Sequence, residues 1–587
     1  MQLLYRNNSS MNANSPSMHV ARIVRHYKGK TYVTILLRRS FRDGKAVKHE
    51  TLGNLSHLPE RLIDIVRRSL LGEEFASTDE RFRILRSLPH GHVQAVLGMI
   101  AKLGLDSFLA SKPSRQRSLI VAMIAERVLF PASKLATTRH WHSTTLAGEL
   151  GVADASVAEL YQAMDWLLTR QQAIESQLAG QHLAERALVL YDVSSSFYEG
   201  HTCPLARYGH DRDGKKGLPI IVYGLLTDGD GRPVAVDVYP GNTADPKTVP
   251  DQVDKLRERF GLQRVVLVGD RGMLTQTQID NLKAHPGLGW ISALRSQDIQ
   301  TLLDDGCLER SLFDEVNLAE ITSSDFPDER LIACYNPLLE ERRRSKRTAL
   351  LERTEKELTR LAAAVGRRTK KPLTQTEIAL RAGRVVNRWK VAKHFQLTIA
   401  DNTFRWARRQ DAITREEQLD GIYVIRTSEP KRRLSSADSV RCYKRLALVE
   451  RAFRSLKGID LMVRPIFHRV EPRVRAHIFL CMLAYYVEWH MRQAWAPLLF
   501  ADEELEEDRA TRDPVKPAES SATAKAKKKS RKNAAGQEVH SFRTLLAELA
   551  TRCRNTCQVS AASTAASFEQ LTEATPLQSE AMRLLGV

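Results

Sequence analysis

The chain has 587 residues, which is long enough for three or four domains, and its 43% hydrophobic content excludes a disordered protein. It carries 89 Lys and Arg against 69 Asp and Glu, a net charge of +20, which favours a polyanionic partner, most commonly nucleic acid. A membrane surface is the less favoured partner, because the sequence shows no long apolar span and no polybasic amphipathic terminus.

The seven cysteines are scattered along the chain, and only Cys553 and Cys557 lie close together. Neither has a matching Cys or His pair nearby, so a zinc site is not expected, and scattered thiols suit a reducing compartment. The first ten residues, MQLLYRNNSS, lack the charged and apolar regions of a signal peptide. We therefore expect a cytoplasmic protein.

The N-terminal third changes from strands to helices. Residues 1–18 are polar and are expected to be loose, whereas residues 19–55 alternate between apolar and polar, with turns at KGK and RDGK that predict β-hairpins. From about residue 58 to 186 the apolar spacing is helical. Within it, residues 144–168 predict two helices joined by a Gly-containing turn, which is compatible with a DNA-reading helix-turn-helix and with ordinary helix packing.

The central region, residues 187–300, predicts a mixed α/β sheet. ALVLYDV, LPIIVYGLLT and RPVAVDVYPG predict three antiparallel strands, the last two joined by the turn DGDG. A helix follows, then the strand RVVLVGD, the helix TQTQIDNLKAH and the strand LGWISAL. The predicted order is therefore β-β-β-α-β-α-β.

Residues 301–430 interrupt this order and are predicted to be an insertion. Their segment 337–397 is helical and holds 17 Lys and Arg against 6 Asp and Glu, so +11 of the net charge lies there. Phosphate contacts from this segment should be salt-sensitive and largely independent of sequence. The strand-like runs FQLTIA and GIYVIRT close the insertion, and helices resume over residues 431–500.

The C-terminal part is strongly patterned by charge. Residues 501–538 are acidic at DEELEED and basic at KAKKKSRK, with Ala, Ser and Pro between them, which predicts a disordered charged linker. Residues 539–587 are predicted to form a helical tail that packs back on the body.

Two acids, Asp192 and Asp270, end apolar strands of the predicted sheet. If the first and fourth strands are parallel neighbours, both carboxylates emerge at one edge of the sheet. Metal-assisted phosphodiester cleavage needs two divalent ions about 4 Å apart, held by oxygen ligands on rigid elements. Taken singly, each Asp is also compatible with a turn or a helix cap, so the pair needs a third acid.

A helix predicted over ADSVRCYKRLALVERAFRSLKG supplies that third acid. Tyr443, Glu450 and Lys457 are spaced seven residues apart, so they lie along one stripe of the helix. The apolar positions make the helix half-buried, which favours Glu450 at the edge of the core over a solvated helix with charge pairs. An acid, an aromatic ring and bases on one face predict a surface that meets DNA.

These segments resemble a known family. The strand order resembles the ribonuclease H-like core, with acids on the first strand, the fourth strand and a later helix. That helix resembles the Tyr-Arg-Glu-Lys signature of bacterial insertion-sequence transposases, spaced Y-x2-R-x3-E-x6-K. The resemblance runs in order through about residues 20–500 and is carried by ALVLYDVSSSFYEG, YPGNTADPKT, VVLVGDRGMLT, YKRLALVERAFRSLK and RPIFHRVEPRVRAHIFLCMLAYY.

The resemblance implies a ribonuclease H-like α/β fold interrupted by a long insertion, preceded by an N-terminal β-hairpin and helical region (19–186) that binds DNA ends. It implies a transposase in which Asp192, Asp270 and Glu450 hold two Mg²⁺ ions, which Mn²⁺ can replace. Tyr443 and Lys457 would contact the phosphate of the transposon end. Relatives act as homodimers on double-stranded DNA, at terminal inverted repeats and target DNA, so a bacterial, nucleoid-associated homodimer is expected.

The chain departs from the signature at its Arg position, which falls on Leu446. Arg445 lies about 140° around the helix from Glu450, whereas Arg454 lies about 40° away, so Arg454 is predicted to supply the charge to DNA. In relatives, a Trp of the insertion can stack on a flipped base, and core packing competes with that role for each candidate here. The candidates are Trp290, Trp389 and Trp406.

Two other functional classes compete with a transposase. A ribonuclease H-like nuclease or resolvase would share the triad without strand transfer, and a metal-free DNA-binding regulator would share only the basic charge. A serine recombinase using Ser194–Ser196 is less favoured, because these serines have no Arg or His cluster beside them in the sequence.

Overall fold

The computed structural model describes residues 17–44, 46–73, 82–314, 316–368, 370–559 and 567–587. The chain divides into two compact units, one of Met1–Ser87 with Asn555–Gln570, the other of Leu88–Arg554 with Leu571–Val587. The N-terminus was expected to be loose over residues 1–18. Residues 1–16 of it lie outside the described residues. None of the helices in the described ranges combines the length and apolar composition needed to span a bilayer.

The first unit is built from hairpins. Its three long strands pair antiparallel in chain order, and the predicted turns at KGK and RDGK are confirmed. Lys28 and Gly29 take positive φ values of 50° and 74°, as a tight hairpin turn requires. A second, three-stranded sheet joins the end of this segment to C-terminal strands. The elements are strands Ser17–Tyr27, Lys30–Asp43, Ala46–Asn54, Phe82–Pro89, Cys553–Val559 and Ser567–Leu571, and helix Glu60–Leu70.

The second unit opens with helices that pack on the later helix Glu471–Ala494. The helix-turn-helix considered over residues 144–168 lacks a full first helix, because Leu146–Glu149 is a single turn. The long helix after it begins at a Ser156–Glu159 capping box. The helices are Gly91–Lys102, Leu105–Leu109, Arg115–Leu129, Lys134–His140, Leu146–Glu149 and Val157–His182, with a 3₁₀ turn at Trp141–Ser143.

An eight-stranded mixed sheet forms the centre of this unit, which confirms the predicted fold class. The strand order is Leu318–Ile321, Arg330–Tyr335, Ile422–Thr427, Leu288–Ala293, Val265–Val268, Ala187–Phe197, Ile220–Asp228, Pro233–Pro240. The strand Ala187–Phe197, here the first core strand, pairs in parallel with Val265–Val268, the fourth core strand. Helices Val249–Asp254, Gln276–Lys283 and Ser296–Asp304 connect the strands, with short turns at Asp245–Thr248, Lys255–Arg259 and Arg310–Phe313.

The predicted insertion, residues 301–430, does not form one block separate from the central sheet. Three of its strands, Leu318–Ile321, Arg330–Tyr335 and Ile422–Thr427, extend the central sheet, because antiparallel pairing continues from Leu288–Ala293. The remainder has its own apolar cluster, which includes Leu358, Ile378 and Phe404. Its elements are helices Pro337–Gly366, Gln375–Arg388 and Gln410–Glu417, strands Phe395–Ala400 and Thr403–Arg408, and a 3₁₀ turn at Ala392–His394.

The C-terminal segment corrects two predictions. Residues 501–538 are not a disordered linker, since Val515 is 1% exposed and Lys527 4% exposed, and Lys527 pairs with Glu503 at 2.5 Å. Residues 539–587 are not purely helical, since they supply two strands to the first unit. The helices after the central sheet are Ser436–Lys444, Leu446–Lys457, Glu471–Ala494, Leu505–Thr511, Ala522–Ser530, Phe542–Ala550 and Pro576–Leu585, with a 3₁₀ turn at Ala496–Leu498.

Candidate active site

The first and fourth core strands bring Asp192 and Asp270 to the same edge of the sheet. Leu190 and Val268 are partners in the parallel ladder, and each acid lies two residues beyond its member of that pair. The condition set by the sequence, that these strands be parallel neighbours, is therefore confirmed. Asp192 is half-buried, whereas Asp270 lies exposed after its strand has ended.

The helix Leu446–Lys457, here the carboxylate helix, packs against the first core strand and carries Glu450. Val449 and Phe453 are buried beneath it, and Glu450 is exposed. At the end of this helix, Lys457 Nζ donates to Ser194 Oγ at 3.1 Å. Ser194 shares a face of the strand with Asp192, because side chains alternate along a strand, so the helix covers the face that bears Asp192.

The single helix predicted for Tyr443, Glu450 and Lys457 is wrong in one respect. The chain forms two helices, Ser436–Lys444 and the carboxylate helix, with Arg445 as a turn between them. Tyr443 therefore belongs to the helix before Glu450. The Arg445 side chain at this turn donates to the Gly229 carbonyl and pairs with Asp230 and Glu506.

The two aspartates are each held by neighbouring backbone. Asp192 Oδ1 accepts from the Val193 N–H at 2.8 Å, and Asp270 Oδ1 accepts from the N–H groups of Gly272 and Met273 at 3.0 and 2.7 Å. Asp270 is thus also the turn residue that its sequence suggested. Among the described residues, no three His, Cys, Asp or Glu side chains lie close enough to form a closed metal site.

The acids nevertheless act on one another electrostatically. Burial above all raises the pKa of Asp192 to about 7, and the charges of Asp270 and Glu450 contribute to the rise, while the Val193 N–H and Arg212 oppose it. Burial and the same three carboxylates raise the pKa of Tyr443 to about 12. Tyr443 and the three acids are therefore close enough to influence one another's ionisation.

Arg454 and Lys457 differ in exposure and in the number of contacts that their side chains make within the protein. Arg454 is exposed, and no carboxylate in the described part of the chain pairs with it. The Lys457 side chain is 12% exposed and pairs with Asp213 at 2.5 Å, besides bonding to Ser194 Oγ and the Ser195 carbonyl. Lys457 thus links the carboxylate helix to the first core strand through these bonds.

Sequence reasoning missed the loop residues Arg212 and Asp213. The Asp213 side chain is 2% exposed, pairs with Lys457 and Arg464, and accepts from the Phe197 N–H. Arg212 pairs with Asp245 and lowers the pKa of Asp192. The segment DRDG has turn composition, and its contacts come from distant parts of the chain, so no local pattern marks it.

The donor set suits a hard divalent cation. Three carboxylates supply only oxygen ligands, which Mg²⁺ prefers. The raised pKa of Asp192 shows that negative charge is unfavourable at this edge without a positive partner. By donor chemistry, Asp192, Asp270 and Glu450 fit such an ion.

Of the three candidate tryptophans, Trp290 packs in the protein core. It is 3% exposed within the strand Leu288–Ala293 and belongs to the main core. Trp389 and Trp406 pack at the margin of the insertion's own cluster, and Arg388 lies over the Trp389 ring at 4.9 Å.

Two family models match this sequence. The model for the transposase DDE domain matches residues 195–487, about half of the chain, and includes Asp270 and Glu450 but begins just after Asp192. The model for the N-terminal domain of IS1634 family transposases matches residues 20–79. No curated protein matches significantly.

A solved structure of the piggyBac transposase synaptic complex with hairpin DNA also matches, at 11% identity and a TM-score of 0.25, covering 75% of this chain and 87% of that one. A score this low supports no conclusion about this chain.

The centre of the second unit is a mixed α/β sheet in which two aspartates follow parallel neighbouring strands. The two family matches then show that the chain belongs to the insertion-sequence DDE transposases. It is an enzyme of DNA transposition, which cleaves DNA and transfers strands in a reaction that depends on a divalent metal. Its membership of the group with the Tyr-Arg-Glu-Lys signature stays a prediction.

Proposed function

We propose that Asp192, Asp270 and Glu450 perform this chemistry by holding two Mg²⁺ ions, which Mn²⁺ can replace. The observation that carries the proposal is the parallel ladder, in which both aspartates follow the partners Leu190 and Val268 at the same offset. Glu450 supports it because the helix that carries it packs against the strand that bears Asp192.

When bound, the metal ions supply an activated hydroxyl and stabilise the leaving oxygen. The protein's own residues orient the DNA. The Tyr443 hydroxyl, whose pKa is raised to about 12, stays protonated and donates to a phosphate oxygen. Arg454 adds an unpaired charge beside Glu450, and Lys457 reaches phosphate when Asp213 releases its ammonium group.

By analogy with other insertion-sequence transposases, the proposed substrates are the terminal inverted repeats of the element and a target duplex. A water cleaves the end and frees a 3′-hydroxyl, which then attacks the opposite strand or the target. A homodimer would bring two ends together, and the N-terminal region 19–186 would bind them.

The direct test is cleavage of a repeat-bearing duplex in Mg²⁺ by Glu450→Gln. We expect cleavage to be lost while the protein still binds the duplex. Glu309→Gln, at an exposed acid outside the site, is the matched control and should cleave normally. Normal cleavage by Glu450→Gln would remove Glu450 from the triad.

A nuclease that shares the triad is separated by its products. Pre-cut ends with a free 3′-hydroxyl should be joined to a target duplex by the wild-type protein in Mg²⁺. Cleavage without any joined product would favour the nuclease over strand transfer by this site.

A further inference from the structure

The 30-residue helix Pro337–Gly366 of the insertion has a buried side and a solvent side. At 100° per residue, the buried Arg347, Leu351 and Leu358 lie roughly 140–180° around the axis from Arg342. This burial fixes which side faces solvent. The helix can therefore present a defined line of side chains outward.

Five cations occupy that outward line, and we call them the basic row. By the same helical angle, all lie within about 40° of Arg342, and Ala349 fills the one other position between its ends. Every member is exposed. The members are Arg342, Lys346, Arg353, Lys356 and Arg360.

The basic row lacks counter-charges. Among the described residues, no carboxylate pairs with any of its five members. About half of the insertion's other described cations form ion pairs: Arg347 pairs with Asp420 at 2.6 Å and Arg388 with Glu357 at 3.0 Å. Ion pairs also form between Arg344 and Glu340, Lys393 and Glu416, Arg408 and Glu355, and Arg415 and Asp304.

A line of like charges at helical spacing repels itself, so it is unfavourable for the free protein. A polyanion with evenly spaced charges relieves the repulsion. From Arg342 to Arg360 the row spans about 27 Å at 1.5 Å per residue, which equals about eight base-pair steps of a duplex at roughly 3.4 Å each.

The row also begins close to the catalytic edge of the sheet. Its helix follows the strand Arg330–Tyr335 directly. Two successive antiparallel pairings make that strand parallel to Leu288–Ala293 and hence to the two core strands, so the helix starts at the edge of the sheet where Asp192 and Asp270 follow their strands. A duplex held along the row would therefore lead toward the acids.

We propose that the basic row is a docking surface for the sugar-phosphate backbone of a DNA duplex, held without regard to base sequence. The proposal extends the enzyme's established action on DNA to a specific surface outside the triad. It does not depend on which residues bind metal.

The test is duplex binding by the full-length protein in EDTA between 50 and 200 mM salt. The variant R353Q/K356Q/R360Q removes three row charges, and the control R388Q/K393Q/R415Q removes three ion-paired charges of the same insertion. Each neutralised phosphate contributes about 0.9 to the slope of log affinity against log salt, so the row variant should lose about 2.7. Across this fourfold change in salt, that slope difference is about forty-fold in affinity.

Two probes are used, a duplex with the element's terminal repeat and a random duplex of equal length. Equal loss on both, with the control variant unchanged, is the expected result. Equal slope losses in the row and control variants would overturn the proposal, as would a loss confined to either duplex. R353K/R360K, which keeps the charges, should retain the wild-type slope, and a loss there would also count against it.

Because the assay contains no divalent metal, its result is independent of the triad.

Discussion

The catalytic edge and the basic row carry charge in opposite ways. Asp192 is half-buried in a sheet, and its ionisation is opposed by burial and by its neighbouring acids. The basic row is exposed on a helix, and its charges are held in water. A packed strand can thus hold a carboxylate where its ionisation is unfavourable. An exposed helix instead holds its charges in water, spaced along one side.

This contrast suggests a division of labour. Chemistry needs a few charges fixed by rigid elements, since small displacements are costly there. Holding a duplex needs several charges at regular spacing and tolerates movement. Variants at the two places should therefore affect different measurements.

The largest effect is expected for Asp192→Asn. Loss of one carboxylate from a metal-dependent site removes several kcal/mol of transition-state stabilisation, so single-turnover cleavage should fall about a thousand-fold. Duplex binding in EDTA should stay equal or become tighter, because a negative charge is removed. If binding and cleavage fell together, the separation of the two regions would be wrong.

A buried carboxyl group elsewhere in the second unit sharpens the comparison through pH. Glu126 is 2% exposed and meets His140 Nδ1 at 3.1 Å. Burial raises its pKa to about 8, against a lowering by Arg127. Between pH 4.5 and 8 the folded protein keeps a proton that the unfolded chain has lost, so stability falls as pH rises through that window.

Glu126→Gln keeps the neutral form at every pH and should abolish this loss. Chemical unfolding at pH 5 and pH 8.5 should show a wild-type decrease of up to a few kcal/mol that the variant lacks. His92 and His140, whose pKa values are lowered by burial, remain in both proteins and serve as the common background. An unchanged pH profile would mean that Glu126 ionises freely.

The smallest effect separates the two arginines around Glu450. Arg454→Ala should reduce cleavage about tenfold, with little change in unfolding, because its side chain is exposed and unpaired within the described chain. Arg445→Ala should instead lower the free energy of unfolding by up to about 1 kcal/mol, since its contacts are ion pairs near the surface. The reverse pattern would restore Arg445 as the DNA-contacting residue.

Much of the sheet could be predicted because buried strands form continuous apolar runs. VVLV and ALVL are each followed two residues later by an acid, and a parallel pairing of their strands brings those acids to one edge of the sheet. The place of the insertion strands in the same sheet could not be predicted, since Ile422–Thr427 finds its partner more than a hundred residues away.

The failed predictions share a cause, which is tertiary contact at charged residues. KAKKKSRK has the composition of a solvated tail, yet Lys527 is buried against Glu503 and the Ala496 carbonyl. Likewise, Arg445 ends one helix and begins the next while its side chain is fastened elsewhere. The spacing of residues along the chain carries no information about such distant partners. For the same reason, the ion pair between Lys457 and Asp213 could not be predicted from the sequence.

The ends of the inserted helical part meet at one point of the sheet. Asn336 N–H donates to the Gly421 carbonyl at 2.9 Å, so the chain leaves and returns across a single hydrogen bond. The segment between these residues therefore enters and leaves the sheet at neighbouring positions on two paired strands. A graft of different length at this junction would leave Glu450 in register with the sheet, and loop-closure entropy changes by only about 0.6 kcal/mol for each doubling of length.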